Sequence, residues 1–291
     1  MGIYSNADHS LDPERRFDRA NIACGRKQNT LATTVNYYDT TLHEKEMFEE
    51  RLTREIDTAI SQKQFKVYFQ PKYDVTGDKP RLASAEALIR WIHPELGFIS
   101  PGSFIPLFEG NGLINKLDRY VWSETARIIA DFRRNLGRTV PISVNVSRVD
   151  IYDANLEATL LEITESAYTD NSSRIVETVS KLRNDGFRVE MDDFGTGYSS
   201  LNMLSSLPID ALKLDMGFVR NICQSEKDMR MVRLVLDIAK YLDVKTVAEG
   251  VETEQQYLML KEAGCDVIQG YYFSRPLPEA DFEKLVEAVE V

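Results

Sequence analysis

From Phe65 onward the chain alternates short β-rich runs with helical stretches, and few folds accept that alternation. The runs are Lys66–Gln70, Leu82–Trp91, Pro141–Val146, Leu160–Thr164, Arg188–Asp192, Ala211–Asp215, Lys245–Glu249 and Val267–Tyr271. Helical spacing of apolar residues predicts helices over Leu117–Asn135, Ser172–Asp185, Lys227–Tyr241, Glu254–Ala263 and Glu279–Val289, with Gly186 and Gly264 just past two of the helix ends. Eight strands separated by helices form a closed barrel or a doubly wound sheet. A doubly wound nucleotide binder needs a Gly-rich turn after its first strand, with the G-x-G-x-x-G pattern. Here Gln70-Pro71-Lys72 follows instead, and the pattern occurs nowhere. A barrel is expected.

The first 60 or so residues read differently. Met1 to Thr34 is polar, with a short amphipathic stretch at Phe17, Ala20, Ile22 and Ala23. From Glu44 to Ile60 a helix is expected, because Phe48, Leu52, Ile56 and Ile60 recur every four residues. Such a stripe either packs on the main domain or belongs to a linker helix that transmits a signal from upstream.

Composition narrows the function classes. The 291 residues are 43% hydrophobic and 28% charged, enough to bury a core. A net charge of −11 argues against binding a nucleic-acid polymer, which needs a cationic face. Cys24, Cys223 and Cys265 are three and far apart, so a reducing compartment is expected rather than a disulfide framework. His9, His43 and His93 fall in no ligand spacing with one another or with the cysteines, which argues strongly against a His/Cys zinc enzyme. No signal-peptide pattern and no membrane span is visible, so a cytoplasmic protein is expected, with no membrane contact in this stretch. A longer parent protein attached to a membrane through upstream domains stays compatible with that.

In a barrel of this kind catalytic groups gather at the C-terminal strand ends. Period two puts Glu86, Leu88 and Arg90 on one inward face, where a carboxylate and a guanidinium each need a partner. The next strands end in Asn145, in Glu162 and Glu165, in Asp192 and Asp193, in Lys213 and Asp215, in Glu249 and Glu252, and in Gln269. Glu86, Glu162, Asp192, Asp193 and Glu249 in one mouth repel unless cations are present. Hard oxygen donors suit Mg²⁺ or Mn²⁺, with Asn145 as a neutral carbonyl ligand, and adjacent aspartates can serve two ions. Two metals are a recurrent device for displacement at phosphorus. Arg90 then clamps a phosphate, and Lys213 places a charge beside the attacking water. Taken singly, any of these residues reads as a surface or capping carboxylate; the set on successive strand ends does not. The loop Asp193-Phe194-Gly195-Thr196-Gly197-Tyr198 is either a tight turn or a mobile element beside the metals.

With these motifs the chain resembles the EAL-domain family, the cyclic di-GMP phosphodiesterases, from about Phe65 to the C-terminus. The resemblance rests on Glu86-Ala87-Leu88 within Glu86–Trp91, Gln70-Pro71, Val144–Ser147, Glu162–Glu165, Asp192–Tyr198, Leu212–Asp215, Ala248–Glu252 and Gln269-Gly270-Tyr271. It implies a modified TIM (β/α)8 barrel whose first strand runs antiparallel to the rest, preceded by a helical linker. It implies hydrolysis of one phosphodiester of cyclic di-GMP to linear pGpG with two Mg²⁺ or Mn²⁺ ions, Ca²⁺ binding without supporting the reaction. By resemblance the metal ligands are Glu86, Asn145, Glu162, Asp192 and Asp193. Glu249 acts near the second metal and its water, Lys213 holds or polarises that water, and Glu165 braces the loop. Gln70, Leu88, Arg90, Asp215, Glu252 and Gln269 belong to the ligand side of the mouth. A homodimer through helices beside the loop, where Leu201, Met203 and Leu204 follow, is also implied.

Met1 to about Tyr38 resembles the last helix and tail of a GGDEF domain without its motif, so no cyclase activity is expected. The implied division is 1–43 as that tail, 44–62 as linker helix and 63–291 as barrel. One spacing departs from the family. Only 17 positions separate Asn145 from Glu162, about half the usual number, whereas 30, 21 and 36 separate Glu162, Asp192, Lys213 and Glu249 in turn. A parallel crossover needs about a dozen residues. Either a helix is shortened here or residues are missing from this stretch; the intact strand around Glu162 favours the second. Two other functions compete: a catalytically silent cyclic di-GMP receptor, and a barrel phosphodiesterase for another substrate such as a glycerophosphodiester. The second would lean on catalytic histidines, and only His93 lies in the barrel region.

Overall fold

The computed structural model describes residues 2–5, 10–25, 36–146, 160–164, 172–194 and 207–288. The chain divides into two units, Met1–Thr58 and Ala59–Val291.

In the first unit, β1 (Gly2–Ile3) and β2 (Asn36–Tyr37) pair in parallel, and α1 spans Pro13–Gly25. The guanidinium of Arg19 donates to the Tyr4 hydroxyl at 2.6 Å and lies 5.3 Å from the Tyr38 ring centroid. Of the amphipathic stretch, Ala23 is buried but Phe17 is 65% exposed, so the stretch is helical without Phe17 being part of a core. Helix α2 (Thr40–Ser61) begins four residues before the expected start, where the Asp39 carboxylate accepts from Thr41 N–H. Along it Leu52 and Ile56 are buried and Phe48 and Ile60 half-buried, matching the expected stripe.

The second unit is built on β3 (Phe65–Asp74), β4 (Arg81–His93), β5 (Gly97–Ile99), β6 (Ile142–Val146), β7 (Leu160–Thr164), β8 (Arg188–Phe194), β9 (Ala211–Leu214), β10 (Lys245–Ala248), β11 (Val267–Gln269) and β12 (Leu277–Pro278). Strands β4, β6, β7, β8, β9, β10 and β11 pair in parallel, each with the next. Strand β3 closes the ring, antiparallel to both β4 and β11. This is the barrel with one reversed strand; β5 and β12 are short additions at the sheet ends. All eight expected strands are present.

Helices α3 (Pro101–Asn111), α4 (Ile114–Leu136), α5 (Ser172–Asn184), α6 (Met216–Val219), α7 (Glu226–Leu242), α8 (Glu254–Ala263) and α9 (Glu279–Glu287) accompany the strands. Helix α8 carries a full capping box between Thr253 and Gln256 and ends on Gly264 in a left-handed conformation. Among the described residues no helix is long and apolar enough to cross a membrane.

The short Asn145–Glu162 spacing does not disturb the strand order. Residues 147–159 lie outside the described residues, but β6 and β7 pair in parallel with Asn145 opposite Glu162. The neighbouring register sets Glu162 opposite Glu190.

Candidate active site

Alternation along each strand decides what faces the barrel interior. On β4, Ala85 and Ala87 are buried on the outer side, and Glu86 points inward with 6% exposure. One Glu86 carboxylate oxygen accepts from Asn145 Nδ2 at 3.1 Å, and the other accepts from Gln269 Nε2 at 2.6 Å. Gln269 Nε2 also lies 3.3 Å from Gln70 Oε1, on the strand opposite Glu86. Strands β3, β4, β6 and β11 thereby place four sequence-predicted residues in one hydrogen-bonded group.

Lys213 anchors the other side of the mouth. It is fully buried, and its Nζ lies 2.6 Å from Glu249 Oε1, 3.2 Å from Asp192 Oδ2 and 3.8 Å from Glu86 Oε2. Among the described residues, one ammonium thus faces three carboxylates from three strand ends. Buried charge of one sign in that excess needs further cations. The donors are carboxylates and an amide, with no thiol or imidazole among them, which fits a hard divalent cation. Among the described residues no group of three His, Cys, Asp or Glu is close enough to hold an ion alone. The side chains of Glu162 and Asp193, and all of Glu165 and of residues 195–206, lie outside the described residues. Among the described residues, Gln269 Oε1 is buried without a hydrogen-bond partner.

Arg90 is half-buried on the same face of β4 as Glu86 and Leu88. Burial pulls its pKa down, while Tyr271, Tyr68 and Glu86 nearby push the other way. Its Nη1 donates to Ile89 O at 2.8 Å, and its guanidinium lies 5.9 Å from the Tyr68 ring centroid. A desolvated guanidinium in this setting favours an anion such as a phosphate.

The remaining expected residues sit further out. Asp215 caps α6, accepting from Gly217 N–H at 2.8 Å. Glu252 is exposed between β10 and α8, with its own N–H donating to Gln256 Oε1 at 2.9 Å. The close approach of the strand ends requires glycine. A Cβ on Gly270 would lie 2.1 Å from Val251 O and 2.4 Å from Val251 N.

Two charged residues of the interior escaped the sequence reading. Lys72 Nζ lies 2.6 Å from Glu190 Oε2 and donates to Ser143 Oγ at 2.9 Å, with Lys72 fully buried and Glu190 6% exposed. The available signal was period two: Lys72 stands two residues after Gln70, and Glu190 two before Asp192.

The family model for the EAL domain matches residues 53–276. The chain is similar to the cyclic di-GMP phosphodiesterase NbdA of Pseudomonas aeruginosa, 34% identical over an alignment of 281 positions that covers 91% of this chain and 35% of NbdA. It is likewise similar to the cyclic di-GMP phosphodiesterase PdeR of Escherichia coli, 34% identical over 241 residues, covering 78% of this chain and 36% of PdeR. The chain therefore spans about a third of the length of these two relatives. Among solved structures it is similar to the PaMucR phosphodiesterase in complex with c-di-GMP, with a TM-score of 0.74 and 33% identity over 80% of this chain and 99% of that one.

Proposed function

The chain belongs to the EAL-domain family, and from that premise we propose that it hydrolyses cyclic di-GMP to linear pGpG with two divalent cations, Mg²⁺ or Mn²⁺. The observation that carries the reading is buried Lys213 held between Glu86, Asp192 and Glu249 at the barrel mouth. Glu86, Asn145 and Asp192, joined by Glu162 and Asp193, would hold the cations. When bound, such ions neutralise the carboxylates, acidify a water and withdraw charge from the phosphate.

The protein's own groups do the positioning. Asn145 and Gln269 orient the Glu86 carboxylate through hydrogen bonds to separate oxygens. Glu249 Oε1 fixes the Lys213 ammonium, which donates to the attacking water. Arg90 pairs with the phosphate, and Gln70, Leu88 and Gln269, with Asp215 and Glu252 nearer the rim, meet the rest of the ligand. The water gives a proton to Glu249 as its oxygen bonds to phosphorus, the P–O3′ bond breaks, and the departing O3′ takes up that proton to leave pGpG. Glu165, outside the described residues, would brace the Asp193–Tyr198 loop in this reading.

Incubation with cyclic di-GMP and Mg²⁺, followed by chromatography for pGpG, tests the reading. Binding without product would leave a silent receptor. The retention of Glu86, Asn145, Asp192, Lys213 and Glu249 supports the enzyme.

The same reading assigns 1–43 to a GGDEF tail, 44–62 to a linker helix and 63–291 to the catalytic barrel of a cytoplasmic protein or module. It also makes the protein a homodimer through the helices beside the Asp193–Tyr198 loop, where Leu201, Met203 and Leu204 lie outside the described residues; α7 offers a further exposed face. Met231, Leu234 and Tyr241 are 42%, 53% and 89% exposed along one face of α7, an apolar stripe suited to a second copy. Light scattering across concentration tests this, and a monomer at every concentration overturns it.

A further inference from the structure

Beneath the mouth the barrel interior has a second layer, split into two chemically different halves. Ala211, Val247 and Val267 form a small apolar cluster. Each stands two residues before Lys213, Glu249 or Gln269 on β9, β10 and β11, hence one layer below them. The other half is ionic. Lys72, Ser143 and Glu190 stand two residues from Gln70, Asn145 and Asp192, on β3, β6 and β8.

We infer that Lys72 is a positioning residue which, through Glu190 and Ser143, sets the placement of Asp192 and Asn145 at the mouth; this rests on the metal-dependent reading above. Lys72 Nζ joins strands that are not neighbours, since β4 lies between β3 and β6, and β7 between β6 and β8. Backbone pairing cannot tie such strands directly. A side chain crossing the interior can, with Nζ 2.6 Å from Glu190 Oε2 and 2.9 Å from Ser143 Oγ. Apolar residues would fill the same space, as they do under Lys213, and a buried ion pair is often no more stabilising than such packing. Its contribution is geometric: a directed pair of contacts fixes β8 and β6 against β3, and so fixes the carboxylate of Asp192 and the amide of Asn145. Groups that orient ligands in this way commonly change metal affinity or activity by about 10–100-fold when removed.

The test compares Lys72→Met, Glu190→Met and the double variant by melting temperature, by calorimetric Mn²⁺ binding without substrate, and by kcat and KM for cyclic di-GMP. Each single variant removes one side of the buried Lys72–Glu190 pair while keeping the other charge, and should melt lower. The double should recover the native melting temperature yet bind Mn²⁺ about tenfold more weakly and lose at least about tenfold in kcat. A double variant with native melting, Mn²⁺ affinity and kcat overturns the inference. If the double does not fold, Ser143→Ala removes one arm of the tie; unchanged Mn²⁺ affinity there also overturns it. A wild-type protein that binds Mn²⁺ but leaves cyclic di-GMP intact removes the substrate reading, while the Mn²⁺ comparison still decides the role of Lys72. A wild-type protein that binds no Mn²⁺ overturns both.

Discussion

Lys213 Nζ lies 2.6 Å from Glu249 Oε1, bridging the inward face of β9 to the residue just beyond β10, with the lysine shut off from solvent. A buried ammonium beside a carboxylate is held in place from both directions. Glu249 pairs with the Lys213 ammonium, and Lys213 lies within 4 Å of three carboxylates in a small volume.

Lys213→Ala should therefore act on stability and chemistry together. Removing one partner of a buried ion pair costs about 3–5 kcal/mol. In chelator the variant should melt several degrees below the wild type, and saturating Mn²⁺ should recover much of the difference by supplying the missing positive charge. The kcat for cyclic di-GMP should fall at least about 100-fold even with Mn²⁺ present, the usual scale for a group that orients or protonates the reacting atoms. Melting curves with and without Mn²⁺, beside initial rates, check this; native kcat would remove Lys213 from the chemistry.

Metal removal is the second expectation. One ammonium among three carboxylates leaves excess negative charge at the place an anionic phosphodiester must enter. Excess EDTA should abolish hydrolysis, and Mg²⁺ or Mn²⁺ should restore it. Ca²⁺ should raise the melting temperature, showing that it binds, but support little turnover, because its longer and looser coordination misplaces the water. Full turnover in EDTA would falsify the two-metal reading.

The third expectation separates holding a ligand from reacting with it. Arg90 is a half-buried guanidinium that accompanies the phosphate in the ground state as well as in the transition state, so Arg90→Ala should raise KM about tenfold or more with a smaller change in kcat. Glu86 sits at the centre of the hydrogen-bonded group, tied to Asn145 and Gln269, and Glu86→Ala should remove kcat. Steady-state kinetics on both variants decide it. An unchanged KM for Arg90→Ala, or near-native kcat for Glu86→Ala, contradicts the role concerned.

The barrel was legible because its strands alternate strongly between inward polar and outward apolar residues, and Gly264 marks the end of α8 where expected. Helix α3 was not legible. Its segment Pro101–Asn111 contains Gly102, Pro106 and Gly110, which read locally as loop, yet Phe104 and Phe108 are fully buried and pack with Phe65 and Trp91. Tertiary burial outweighs local propensity there, and Pro101 costs little in the first helical turn. Of the candidate site, the meeting of Gln70, Glu86, Asn145 and Gln269, and of Lys213 with Glu86, Asp192 and Glu249, was legible because each residue lies on the inward face of a strand or just beyond its end. The tie between Lys72 and Glu190 was not, because nothing in one sequence shows that residues 118 positions apart meet across a barrel.

The last expectation concerns what lets the mouth close. Strand β11 ends at Gln269, with Gly270 next, and the chain after Glu249 runs so close that Val251 N–H donates to Gln269 O and Tyr272 N–H donates to Val251 O. A methyl group at Gly270 would sit 2.1 Å from Val251 O and 2.4 Å from Val251 N, and both obstacles are backbone that cannot rotate away. Relief requires moving the segment that carries Glu249 or the strand that carries Gln269. Gly270→Ala should thus destabilise by more than about 2 kcal/mol, the scale of overpacking strain in a closely packed interior. It should also cut kcat at temperatures well below its melting point. Gly97→Ala is the control: its φ of 70° disfavours a side chain, but nothing lies within 4 Å of the added methyl. That variant should lose about 1 kcal/mol through backbone strain and keep native kcat. Urea titrations and rates on the two variants check the contrast; equal stability loss with native kcat in both would mean that contact between Gly270 and Val251 has no part in shaping the site.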